Sequence, residues 1–149
     1  MHTPTVAYML ANFAPGTGKR DLPRVRVDSL CSELDNDLLR HALVVDMSTE
    51  GLRIQRPLGG SRSRTLQLEF EIPEFDEIVW ATGVVCFDQV WRLPPTPDGG
   101  LSGVIRTSGI KLLHAAERHK RMLREYVMET VRRIEFPFAD EMMSAACYR

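Results

Sequence analysis

The sequence predicts an all-β domain, a closed or nearly closed small barrel, capped by one amphipathic C-terminal helix. Three observations carry that expectation. Short runs of alternating apolar and polar residues recur from Arg24 to Leu113, the period of half-buried strands. Glycine, proline, asparagine or aspartate clusters separate the runs, as turns between antiparallel strands require. After Ala115 the apolar spacing changes to three and four residues, which is the period of a helix with one buried face.

Residues 1–14 carry Val6, Tyr8, Met9, Leu10 and Phe13 in a run too short and mixed to assign to strand or helix. Pro15-Gly16-Thr17-Gly18 breaks any regular element and reads as a hinge. Strand character begins at Arg24, where Val25 and Val27 alternate with Arg24, Arg26 and Asp28. Ser32 to Asp37 reads as a polar loop, Leu38 to Val45 as a second strand, and Asp46 to Gly51 as a turn. Leu52 and Ile54 alternate with Arg53 and Gln55 in a third strand, ended by Pro57 and Gly59-Gly60. Leu66, Leu68, Phe70 and Ile72 alternate with Gln67, Glu69 and Glu71, the cleanest strand signal in the chain. Ile78 to Phe87 follows, with Val90 to Leu93 as its continuation and Gly83 marking a bulge or a close backbone approach. The prolines and glycines of 94–100 make a loop. Leu101 to Leu113 is the last strand, kinked at Ser108-Gly109.

Ala115 to Ile134 places His119, Leu123, Tyr126, Val127, Thr130 and Ile134 on one face, with arginines interspersed. That stripe is expected to close an open end of the barrel. Pro137 stops the helix. The segments are therefore an N-terminal extension and hinge (1–18), one domain (19–134) and a C-terminal tail (135–149).

Composition narrows the function. The chain has 149 residues, 44% of them hydrophobic, which fits one compact domain with a real core and leaves little for a second. Its 19 basic and 20 acidic side chains give a net charge of −1. A general binder of nucleic acid polymers carries strong positive charge, so that class is disfavoured. No apolar run reaches the roughly 20 residues of a membrane span. The N-terminus lacks the basic start and long apolar middle of a signal peptide. Cys31, Cys86 and Cys147 are far apart and odd in number, which fits reduced thiols in the cytoplasm. The histidines form no metal-like pair, and Ser48 lies in no nucleophile motif. No phosphate loop is present, so an enzyme is not expected.

The chemistry concentrates between Arg20 and Gly51. Arg20 and Arg24 are four residues apart. Asp46, Ser48 and Gly51 follow in one short stretch. A guanidinium is a planar fork that binds phosphate oxygens or the O6/N7 edge of guanine with paired hydrogen bonds. A carboxylate can accept from the N1–H and N2–H groups of guanine, and a serine hydroxyl can donate or accept at short range. Gly51 would permit a positive φ in the turn. Arg26 and Arg53 either add positive potential or form the wet faces of their strands.

At these residues the sequence resembles the PilZ family of bacterial cyclic di-GMP receptors. That family pairs R-x-x-x-R with a later [DN]-x-S-x-x-G, and R-D-L-P-R (Arg20–Arg24) and D-M-S-T-E-G (Asp46–Gly51) fit both motifs. G-I-K-L-L (Gly109–Leu113) is similar to its last barrel strand, and a helix follows. The resemblance spans about residues 19–134. It implies a six-stranded antiparallel barrel that binds cyclic di-GMP on its outer surface without turning it over. Arg20 and Arg24 would contact phosphate and guanine, and Asp46, Ser48 and Gly51 would line the opposite side. Lys19, Arg26 and Arg53 are accessory candidates. No cofactor or metal is implied. The expected output is a rearranged N-terminal arm that engages an effector protein in motility, pilus, polysaccharide or biofilm control. The alternative is a ligand-independent protein–protein adaptor on the same fold.

Overall fold

Asn36 and Asp37 both adopt positive φ, at 46° and 68°. They are among the non-glycine types that best tolerate this region. They make a two-residue hairpin turn whose twist suits the strands on either side. Asp35 pairs with Leu38 across it. The computed structural model describes residues 22–59, 62–100 and 103–135. The first strand, β1 (Arg24–Asp35), therefore runs through the segment expected to be a polar loop. The polar letters misled because Glu33 and Cys31 point into the barrel while Ser32 does not.

The remaining elements are β2 (Leu38–Ser48), β3 (Gly51–Arg56), β4 (Thr65–Glu71), β5 (Ile78–Arg92), β6 (Val104–Ala115) and helix α1 (Glu117–Glu135). The strands form a closed barrel in the order β1-β2-β3-β6-β5-β4, and every neighbouring pair is antiparallel. Pairing of Cys31 with Phe70 and of Leu34 with Gln67 closes the ring. Closure gives each described strand a neighbour on both sides, which removes the free edges of an open sheet. The expected turn at 46–51 is shorter than the sequence suggests, since β2 continues to Ser48 and β3 starts at Gly51. β5 runs unbroken to Arg92. Thr82 pairs with His114 and Gly83 with Leu112, so Gly83 does mark a bulge, whose extra residue is Leu113 on β6. A Cβ there would also collide with the Ile110 side chain.

β4 alternates as its letters predict, with Leu66, Leu68 and Phe70 at 1% exposure and Gln67 and Glu71 in solvent. These side chains join Val25, Val44, Leu52, Ile54, Val79 and Ile110 in one core. Met122, Leu123, Tyr126 and Val127 of α1 enter the same cluster, so the helix stripe packs on the barrel as expected. Arg118 and His119 reach Glu77, and Arg133 reaches Glu74, which ties α1 to the β4–β5 connection. One member of the expected stripe is misplaced: Ile134 is 70% exposed. The core contacts of α1 end with Val131, which packs against the cluster only in part. The stop at Pro137 and the segments 1–18 and 136–149 lie outside the described residues.

The barrel interior also holds an ion pair. Glu33 is fully buried and accepts from Arg56 Nε at 2.8 Å and Nη2 at 3.2 Å. Arg56 Nη1 donates to Ser108 Oγ at 3.3 Å. Breaking such a pair leaves an uncompensated charge in an apolar space. Glu33→Ala is expected to destabilise the fold by about 3–5 kcal/mol, measured by urea unfolding; a loss under about 1 kcal/mol would show that the pair behaves as a surface salt bridge.

Cys31, beside Glu33, is buried, and its thiol is pushed up to about 12, chiefly by desolvation and then by the Glu33 charge. Cys86 is exposed. The folded protein favours the neutral Cys31 thiol, so this contribution to stability is present below the ordinary thiol value of 9.0 and fades as pH rises from there towards about 12. In a Cys147→Ser background, a thiolate-directed reagent near pH 9 should label Cys86 and spare Cys31 until denaturant is added. Equal labelling of both in the folded protein would contradict the burial of Cys31.

Candidate functional site

The site is built by one irregularity in β2. Val44 pairs with Ile54 and Asp46 pairs with Arg53, so Val45 is an extra residue on β2. A bulge of this kind reverses which face the following side chains take. Met47 therefore enters the core at 0% exposure, and Asp46 turns outward. β1 carries a second register shift between Arg26 and Ser29, opposite the same stretch.

Across the outer face the paired positions run Arg26, Asp46, Arg53, Gly109 and Phe87. Asp46 Oδ1 accepts from Arg24 Nη1 at 2.6 Å, and Arg53 Nε lies 3.3 Å from Asp46 Oδ2. The Arg53 guanidinium carbon lies 5.9 Å from the centroid of the Phe87 ring, within cation–π range. Gly109 makes that contact possible, because a Cβ there would collide with the ring.

Arg53 is thus not the wet face of its strand. It is 3% exposed, sealed between Asp46 and Phe87. Arg26 is solvent-exposed. Lys19 and Arg20 lie outside the described residues.

Ser48 Oγ accepts from Gly51 N at 3.0 Å and Glu50 N at 3.3 Å, a local turn bond that holds the β2–β3 connection. Gly51 does not belong to the positive-φ glycines of the described chain, which are Gly59 and Gly99. Its lack of a side chain serves close approach instead: a Cβ would strike the carbonyl oxygen of Ile110 on β6. The expected backbone reason was wrong, and the need for glycine stands.

Arg24, Ser48 and Gly51 share a groove of about 410 Å³ with Leu22, Phe87 and Lys111. Lys111 faces Gly51 in register. Asp46 does not line this groove; it sits behind Arg24 and orients its guanidinium. Phe87 and Lys111 were not legible as site residues. Their only sequence signal was membership of strands whose lateral order brings β5 and β6 beside the β2–β3 turn. Among the described residues, no group of three or more His, Cys, Asp or Glu is placed to hold a metal ion. None of the described helices is long and apolar enough to cross a membrane.

At the level of sequence, no family model and no curated protein matches this chain. The fold does have solved counterparts. The PilZ domain of YcgR from Escherichia coli, solved with c-di-GMP, superposes with a TM-score of 0.61 at 12% identity, over 83% of this chain and 98% of that one. The MrkH–c-di-GMP complex of K. pneumonia gives 0.63 at 16% identity, over 79% of this chain and 54% of that one. The inhibitor of motility MotI/DgrA of Bacillus subtilis gives 0.58 at 15%, over 76% and 51%. This chain therefore spans about half the length of the last two. The protein has a PilZ-type fold: a closed six-stranded antiparallel barrel with a C-terminal helix.

Gly51→Ala is expected to cost about 1–3 kcal/mol of stability, the range of overpacked sites, because its obstacle is backbone that cannot swing aside. Gly109→Ala should cost less, since the Phe87 ring can rotate away. Thermal unfolding of both variants checks the order, and a Gly51→Ala protein as stable as the parent would refute the close approach.

Proposed function

We propose that this protein is a non-catalytic receptor for cyclic di-GMP and a member of the PilZ family. The observation that carries the reading is the Arg24 guanidinium, held by Asp46 and lining one groove with Ser48 and Gly51. A fork fixed in place loses little freedom when it meets phosphate or the guanine edge. Asp46 serves as its positioning group, backed by the buried Arg53. Phe87 offers an apolar ring and Lys111 a second cation in the same groove. Relatives in fold that are solved with c-di-GMP support the same ligand. Arg20, four residues before Arg24, and Lys19 supply further cations from the N-terminal side.

Binding would reorder the N-terminal arm around Pro15–Lys19 against the barrel and shift the population towards a closed arm. The closed form would present a new surface to an effector protein of motility, pilus, polysaccharide or biofilm machinery, in the cytoplasm. A second reading has one observation in its favour. Both carboxylate oxygens of Asp46 already face arginines of the same chain. The set then acts as a structural clasp in a ligand-independent protein–protein adaptor. A pull-down whose yield ignores the nucleotide and survives Arg20→Ala would select that reading.

Isothermal titration with cyclic di-GMP tests the proposal. The parent protein should bind, and Arg24→Ala should lose about 1–3 kcal/mol of affinity, as for other bidentate guanine contacts. Protection of residues 15–24 from protease by the nucleotide is the readout for the arm. No heat and no thermal stabilisation at high ligand concentration would sink the receptor reading.

A further inference from the structure

A second concavity lies on the other side of Cys86 and Phe87. It encloses about 300 Å³, and four arginines line it: Arg56, Arg62, Arg64 and Arg106. Asp88 is the one carboxylate in its wall. Arg56 and Arg106 are 5% and 7% exposed. Neither can swing away, because each is forked onto a carboxylate. Glu33 holds Arg56 from the barrel interior, and Asp88 takes Arg106 Nε at 2.9 Å and Nη2 at 2.6 Å. Ser108 joins the two pairs, accepting from Arg56 and donating to Asp88 Oδ1 at 2.9 Å. Arg62 and Arg64 add exposed cations from the segment that enters β4.

Glu33 and Asp88 offset Arg56 and Arg106, so the excess positive charge of the wall comes from Arg62 and Arg64, in a molecule whose net charge is −1. A concave, partly dry wall with an excess of one sign concentrates the field and attracts counter-ions. The size suits a small group. A nucleic acid polymer would need a broad basic surface, which the charge balance disfavours. The guanidinium forks of Arg62 and Arg64 match the paired oxygens of a phosphate, and its negative charge answers theirs. We propose that this cavity is a separate anion site for a phosphate-bearing small molecule. It adjoins the Arg24 groove through the shared wall of Cys86 and Phe87. The site stands on its own residues and does not depend on the cyclic di-GMP reading.

The test is titration of inorganic pyrophosphate into the isotope-labelled 149-residue chain, followed by the arginine Nε–Hε and backbone amide signals. The expected result is saturable shifts at Arg62, Arg64 and Cys86, with a Kd of about 1 mM or tighter. Arg62→Gln and Arg64→Gln should each weaken binding about five- to tenfold, the equivalent of one unit charge lost at contact distance in water. Both side chains are exposed, so the variants should fold. Arg24→Ala should leave pyrophosphate binding unchanged. Shifts that fail to saturate, a double variant that binds like the parent, or loss of binding in Arg24→Ala would each overturn the proposal. Titration with cyclic di-GMP separates the two sites. Retained nucleotide binding in Arg62→Gln/Arg64→Gln supports separate sites, and its loss would merge the cavity with the groove and overturn the claim.

Discussion

The outer face of this barrel depends on one carboxylate held between two guanidiniums. Asp46 is 6% exposed, with Arg24 on one oxygen and Arg53 near the other. A charge at that depth is tolerated only with such partners. The Val45 bulge turns Asp46 outward and sends Met47 into the core in its place. Arg53 in turn lies beneath Phe87, and Phe87 needs Gly109 bare. The order of dependence runs from bulge to carboxylate, from carboxylate to arginines, and from arginines to the groove wall.

The two ends of the barrel are built from different materials. The end where β6 leads into α1 is sealed by Met122, Leu123, Tyr126 and Val127, an ordinary apolar closure. Further along the interior, Glu33, Arg56 and Ser108 replace aliphatic packing with a bonded polar set. That set continues outward through Asp88 to Arg106. Hydrogen bonds from Arg106 and Ser108 hold the Asp88 carboxyl below its ordinary range against the opposing effect of burial. A polar interior of this kind is stable only when its members are satisfied together. It also fixes two arginines beside a cavity, which an apolar plug would not do.

Much of the barrel was legible in the residues. β4 alternated without ambiguity, the Gly83 bulge had a visible marker, and the helix announced its period. Errors arose where a polar residue points inward or a strand changes phase. Ser32–Asp37 looked like a loop because Glu33 is charged, yet its partner Arg56 lies 23 residues on. Arg53 looked wet because nothing local reveals the Phe87 ring above it. Gly51 was expected to need a positive φ, whereas its constraint comes from the Ile110 carbonyl on another strand.

The sequence by itself determined the class: period two, then turn residues, then period three to four, with the arginine pair and the Asp-Ser-Gly stretch in order. Those signals are local, because strand and helix periods are properties of the backbone. Only the tertiary structure decided which face Asp46 takes, why Gly51 has no side chain, and that Phe87 and Lys111 share a groove with Arg24. Each of these depends on lateral strand order and bulge phase. Those are set by closing the ring and by pairing charges far apart in the chain, so no single stretch of sequence contains them.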